Sequence, residues 1–157
     1  MLFRSLNRSE SGGGSTITQQ LAKNMFGRNG NGRFSIFINK YREAILAGRL
    51  EKTFTKEEIL TLYLNTVSFG ENIYGIEAAS ARYFNKLTEK LLIEESAMLI
   101  GMLKATTCYN PALNPEKALT RRNVVLKQME KYAYLESDIA DSLIRLPIRL
   151  KIGRAHV

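Results

Sequence analysis

Thr16 is followed three residues later by Gln19, and Thr55 by Glu58, and each pair opens a run whose apolar residues recur at helical spacing. In this arrangement the hydroxyl accepts from an unsatisfied N–H of the first turn, while the amide or carboxylate reaches back to the cap residue's own N–H. Asn114 before Pro115 marks a third start, with proline at the first helical position. No stretch alternates persuasively as a strand and no hairpin turn is evident. The expected class is therefore mostly α.

Taken in order, the chain predicts a helix from Thr16, a second over Phe34 to Lys52, a third from Thr55 to near Asn65, and an alanine-rich one over Gly75 to Phe84. Thr88 to Leu103 reads as continuous helix, with Met98, Leu99, Met102 and Leu103 as core. A helix from Asn114 to about Tyr132 follows, then a short one over Ser137 to Leu146. Gly27 to Gly32, Ser68 to Tyr74 and Thr106 to Pro115 read as loops.

With 157 residues and 45% apolar content, one domain can bury its own core. The single cysteine, Cys108, excludes an internal disulfide, has no histidine cluster for a metal, and is expected to be buried or half-buried. No apolar run approaches the length that crosses a bilayer. The net charge of +8 is uneven: residues 1 to 52 hold nine Lys or Arg against three Glu, whereas residues 53 to 144 hold ten against twelve acids. Such a field concentrates an anionic partner, whether pyrophosphate, lipid headgroup or nucleic acid, although a solvated basic face explains it equally well.

The basic first third contains GGGSTITQQLAKN, Gly12 to Asn24. A glycine run stops at the hydroxyl pair Ser15 and Thr16 and gives way to a helix whose start attracts anions. Thr16, Gln20 and Lys23 fall on one stripe, with Ile17, Leu21 and Met25 opposite, so one side suits a polar ligand and the other the core. No Lys-Ser or Lys-Thr closes the glycine run, so it is not a nucleotide-binding phosphate loop. In the next helix Lys40, Glu43, Ala44 and Ala47 share a stripe, with the carboxylate bordered by small residues. By spacing alone Lys40 and Glu43 are an exposed i,i+3 pair.

GGGSTITQQLAKN resembles the second signature of the peptidoglycan glycosyltransferases, found alone or as the N-terminal domain of class A penicillin-binding proteins. Lys40 and Glu43, in NKYREA, resemble the third signature, Arg-Lys-x-x-Glu. KEEILTLYLN, Lys56 to Asn65, resembles the fourth, and Arg121, Val125, Leu126 and Met129 the fifth, Arg-x-x-x-Val-Leu-x-x-Met. The resemblance spans about residues 12 to 130.

It implies a lysozyme-like, two-lobed helical domain that polymerises lipid II onto a growing glycan chain and releases undecaprenyl pyrophosphate. Ser15, Thr16, Gln20, Lys23, Lys40 and an arginine would bind substrate, with Arg33 preferred over Arg28 and Thr107 facing the substrate groove. Glu43 would be catalytic, orienting these cations or holding a divalent metal ion on the pyrophosphate. Arg121 or Arg122 would reach a phosphate or, preferably, serve structure. The partners implied are lipid II, the glycan chain and the extracytoplasmic face of the cell membrane, reached through an anchor outside this sequence.

Two features depart from the family pattern. The first signature, whose Glu-Asp pair supplies the general base, has no counterpart, since Glu10 is the one acid before the glycines. Thr61 stands where the fourth signature usually has an acid. The domain is thus expected to cover residues 1–150 and to be incomplete at its N-terminus, with residues 151–157 a non-native tail. Loss of the base would leave a substrate binder with little turnover. The rival classes are a basic helical nucleic-acid binder and an anionic-membrane binder. The resemblance implies no nucleic-acid partner.

Overall fold

The computed structural model describes residues 15–28, 30 and 32–152, and they are mostly helical with no strand among them. The chain divides into two compact units, Met1–Val67 and Ser68–Val157.

The first unit holds α1 (Ile17–Phe26), α2 (Arg33–Thr53) and α3 (Lys56–Thr66). Both predicted capping boxes form. Gln19 N–H donates to Thr16 Oγ1 and Thr16 N–H to Gln19 Oε1, each at 3.1 Å. Thr55 N–H donates to Glu58 Oε2 at 2.7 Å. The buried side of α1 is Thr18, Leu21 and Ala22, which face α2 and α3. This corrects the expected stripe: Leu21 is core, but Ile17 is half-buried and Met25 exposed. The packing is centred on Leu21, and Met25 lies in the last turn beside the equally exposed Phe26.

Along α2 the buried line is Asn39, Glu43, Ala47 and Leu50, and α3 contributes Ile59 and Tyr63, while Leu60 is exposed. The outward face of α2 is apolar to an unusual degree, with Phe34, Phe37 and Tyr41 exposed by 78, 76 and 73%.

The second unit begins with a loop closed by a single antiparallel bridge between Ser68 and Tyr74. Glu71 and Asn72 there adopt left-handed backbone, φ 52° and 60°. Four helices follow: α4 (Ile76–Phe84), α5 (Ile93–Met102), α6 (Pro115–Lys131) and α7 (Ser137–Arg145). Helix α5 packs on α6 at Gly101, where an added Cβ would lie 3.2 Å from Arg121 Cγ. Ala97, Met98, Leu99 and Met102 of α5 are buried, as are Ala118 and Leu126 of α6, so the methionines are core as expected, while Leu103 is half-buried. The helix expected over Thr88 to Leu103 is interrupted. Thr88–Lys90 is a 3₁₀ turn, Leu91 and Leu92 are extended, and α5 restarts at Ile93. Glu95 enforces the restart by accepting from Leu92 N–H at 2.9 Å, and Lys86 Nζ holds the same carboxylate at 2.8 Å. Cys108 is exposed on the turn after α5, not buried.

Tyr83 is fully buried and donates to Phe69 O. Burial pushes its phenol up to about 12. Arg122, 1% exposed, donates to the carbonyls of Leu143, Ile144 and Leu146 where α7 ends, the first of which also accepts from Leu146 N–H. Arg122 thus serves structure through backbone carbonyls. The tail expected over residues 151–157 lies, from 153 on, outside the described residues.

Candidate functional site

In the first unit, the N-terminal end of α1 lies against the middle of α2. Lys40 Nζ donates to Ser15 Oγ at 2.8 Å and to Glu43 Oε2 at 2.9 Å. Arg28, on the loop after α1, donates through Nε to Glu43 Oε1 at 2.8 Å. One carboxylate is thus held by two cations, one on each oxygen. The Glu43 side chain is 5% exposed, whereas those of Lys40 and Arg28 are 48% and 40% exposed. Burial raises the Glu43 carboxyl, but the hydrogen bonds from Arg28 and Lys40 outweigh it and hold the group below its ordinary range. Glu43 is ionised, and the cluster carries a net charge of about +1 at neutral pH.

Gln20 joins this cluster from α1. Its Nε2 donates to the Ser15 carbonyl at 3.3 Å, and its Oε1 accepts from the hydroxyl of Tyr63 at 3.3 Å. Tyr63, buried on α3, has its phenol pushed up by desolvation and remains a donor. Three helices therefore converge on Ser15: α1 through Gln20, α2 through Lys40, and α3 through Tyr63 by way of Gln20.

The structure brings Ser15, Gln20, Lys40 and Glu43 together as the sequence suggests. Thr16 is exposed, and its hydroxyl accepts from Gln19 N–H as the helix cap. Lys23 is exposed in the last turn of α1. Arg33 opens α2, with its side chain outside what is described. Thr107 is exposed in the second unit, where its carbonyl accepts from Asn114 Nδ2 at 3.1 Å.

The expected setting of Glu43 is corrected in one respect. The carboxylate is not bordered by two small residues on one stripe. It is buried in line with Asn39 and Ala47, while Ala44 is exposed. Two participants were not assigned from sequence. A buried tyrosine usually finds a partner for its hydroxyl, so Tyr63 carried a signal without naming Gln20. Arg28 was passed over for Arg33, and no local pattern pairs it with Glu43, because fifteen positions and a glycine-rich loop separate the two.

These residues do not fit a protein-held divalent cation. Both oxygens of Glu43 already accept from cations, and among the described residues no group of three His, Cys, Asp or Glu could hold a metal. The arrangement suits anion binding, with an ammonium, a guanidinium and a hydroxyl at one helix end.

The family model described as transglycosylase matches residues 2–130. The chain belongs to the transglycosylase family. With that membership, the peptidoglycan glycosyltransferase class read from the four signatures stands, and the match begins ten residues before the glycine run. Among relatives, the chain is 43% identical over 139 residues to penicillin-binding protein 1A of Aquifex aeolicus, covering 88% of this chain and 19% of that protein. It is 42% identical over 125 residues to penicillin-binding protein 1F of Bacillus subtilis, covering 80% and 17%. The fold is similar to the crystal structure of penicillin-binding protein 1A from Haemophilus influenzae, with a TM-score of 0.56 and 24% identity over 88% of this chain and 17% of that one. The chain spans less than a fifth of the length of these relatives. No helix among the described residues is long and apolar enough to cross a membrane.

Proposed function

We propose that this domain polymerises lipid II. The sugar hydroxyl of one molecule attacks the anomeric carbon of a glycan chain carried on undecaprenyl pyrophosphate. The new glycosidic C–O bond forms as the old anomeric C–O bond breaks, the hydroxyl proton passes to a base, and the pyrophosphate leaves with the bonding electron pair. The observation that carries this reading is Lys40, whose half-exposed ammonium is fixed at once by Ser15 and Glu43 in a chain of this family.

Charge develops on the leaving oxygens, so fixed cations and donors there lower the barrier. Lys40 supplies such a cation, preorganised because Glu43 and Ser15 hold it before substrate arrives. Lys23 and Arg33 add positive charge, and Ser15, Thr16 and Gln20 add hydrogen-bond donors. Glu43 acts through its cations: a bare carboxylate against a pyrophosphate would repel it, whereas this one is shielded on both oxygens. It is a positioning residue. A divalent ion on the pyrophosphate would have to share Glu43 with Arg28 and Lys40, and Thr107 is assigned a substrate contact in the second unit.

The base for the attacking hydroxyl is missing from the residues assigned here. Positioned proton transfer contributes about 10² to 10⁴-fold in rate, so the 157-residue chain by itself should bind substrate and turn it over slowly. The exposed Phe34, Phe37 and Tyr41 of α2 support a working position against a lipid surface, at the outer face of the cell membrane.

The test is a titration of a short-chain lipid II analogue in detergent, with duplex DNA as competitor. Saturable binding indifferent to DNA is expected. Binding to DNA in its place would favour a basic nucleic-acid-binding domain, and rapid polymerisation by this chain would overturn the low-turnover assignment.

A further inference from the structure

We infer that Glu71 is a positioning residue for substrate, holding through Asn110 the turn that presents Thr107. The inference rests on the reading above, and it deepens that reading by assigning what fixes the substrate-facing turn of the second unit.

Asn110 is buried on the turn between α5 and α6, and its amide makes four hydrogen bonds, two given and two accepted. Its Oδ1 accepts from Ala112 N–H at 2.8 Å and from Leu113 N–H at 3.3 Å, which shapes the turn itself. Its Nδ2 donates to Glu71 Oε1 at 2.8 Å and to the Tyr83 hydroxyl at 3.1 Å. Tyr83 in turn donates to Phe69 O at 3.2 Å, so the amide is tied to the loop before α4 at both Phe69 and Glu71. The second oxygen of Glu71, Oε2, accepts from Arg82 Nη2 at 2.9 Å, which fixes the direction of the side chain.

Packing alone does not require this arrangement. Glu71 has left-handed backbone, φ 52°, which disfavours any residue with a Cβ; glycine would relieve it but could not reach Asn110. Its neighbour Gly70, φ 83°, lies against Thr106, where an added Cβ would sit 3.5 Å from the carbonyl oxygen. Consecutive residues of one loop thus touch the turn at Thr106 and Asn110, on either side of the exposed Thr107. Within the turn, Tyr109 N–H donates to Ala105 O at 2.9 Å, and Asn114 Nδ2 to Thr107 O at 3.1 Å. The backbone around Thr107 is therefore braced while the residue itself stays exposed. That suits a hydroxyl set in place for a sugar hydroxyl or acetamide before substrate arrives.

The test titrates the full 157-residue chain with a short-chain lipid II analogue in detergent, with circular dichroism to show unchanged helicity. It compares Glu71→Asp, Glu71→Gln, Thr107→Val and the double variant of Glu71→Asp with Thr107→Val. Aspartate keeps the charge and tolerates left-handed backbone but is one methylene short of Asn110, whereas glutamine keeps the reach and loses the charge. Glu71→Asp and Thr107→Val are each expected to weaken binding about fivefold, and Glu71→Gln by no more than about twofold. The double variant should bind within about twofold of Glu71→Asp, because a displaced hydroxyl no longer contributes. Losses that multiply in the double variant are independent effects and overturn the inference, as does Glu71→Asp binding like the wild type. Equal loss in Glu71→Gln and Glu71→Asp assigns the effect to the ion pair with Arg82 and also overturns it. Thr107→Val binding like the wild type, while Lys40→Met loses binding, overturns the inference and leaves the pyrophosphate site of the proposed function standing. No saturable binding by the wild-type chain overturns the proposed function itself.

Discussion

Lys40 and Ser15, twenty-five positions apart, meet at 2.8 Å, ammonium to hydroxyl. The bond joins the residue before the cap of α1 to the middle of α2, and the same ammonium lies 2.9 Å from Glu43. Lys40→Met keeps the aliphatic stem and removes the charge. It should weaken binding of a lipid II analogue about tenfold or more, since hydrogen bonds to charged groups contribute about 1.5–3 kcal/mol. The helical circular dichroism should not change, because Arg28 still holds Glu43. Binding within twofold of the wild type would remove Lys40 from the site.

Tyr63→Phe isolates one hydroxyl. The Gln20 amide oxygen loses its donor, and the cost should be about 1 kcal/mol in urea unfolding. Gln20 is then free to turn away from Ser15, so lipid binding should fall by a few-fold. A stability loss with unchanged binding would make Tyr63 a packing residue only.

Arg122→Met tests the second unit. Ile144 and Leu146 lose the arginine as a carbonyl donor while Leu143 keeps Leu146 N–H, and part of the cost is offset because a buried charge no longer needs to be desolvated. The net loss should be about 2–4 kcal/mol. Hydrogen exchange should quicken first in α7. Unfolding that is no easier than in the wild type would show that water caps these carbonyls equally well.

Glu71 makes a pH prediction. Hydrogen bonds from Asn110 and Arg82 hold its carboxyl below the ordinary value of 4.5, against the opposing effect of burial. A depressed carboxyl favours the folded state above its unfolded value, and that contribution disappears as the pH falls through the folded one. Glu71→Gln should therefore be less stable than the wild type near about pH 7, with the gap closing towards about pH 3. Urea midpoints of both proteins across that range give the answer, and a constant gap would rule out the titration of Glu71 as its source.

Much of this architecture was legible because its signals are local. The Thr16 and Thr55 boxes and the proline start of α6 each depend on residues within one turn. The break between the 3₁₀ turn and α5 was hidden, because apolar spacing continues on both sides of Leu91 and Leu92 and the capping carboxylate of Glu95 follows a leucine and not a hydroxyl residue. In the site, Lys40 and Glu43 were readable as a pair, but not which of their faces is buried. A single helix cannot reveal that, since it depends on where α1 docks. Arg28 was out of reach for the same reason, its partner being set by the path of a loop.

Helix α1 is ten residues long, below the roughly 12–15 at which an isolated helix becomes even marginal in water. It is held in shape by Leu21 and Ala22 against its neighbours, so the groups at its N-terminal end exist only while the first unit is folded. Occupancy and cohesion are then one equilibrium. A ligand gripping that end at a hundred times its dissociation constant adds about 2.7 kcal/mol to the unit that presents it. The melting temperature of the unit thus becomes a gauge of substrate, readable without any turnover at all.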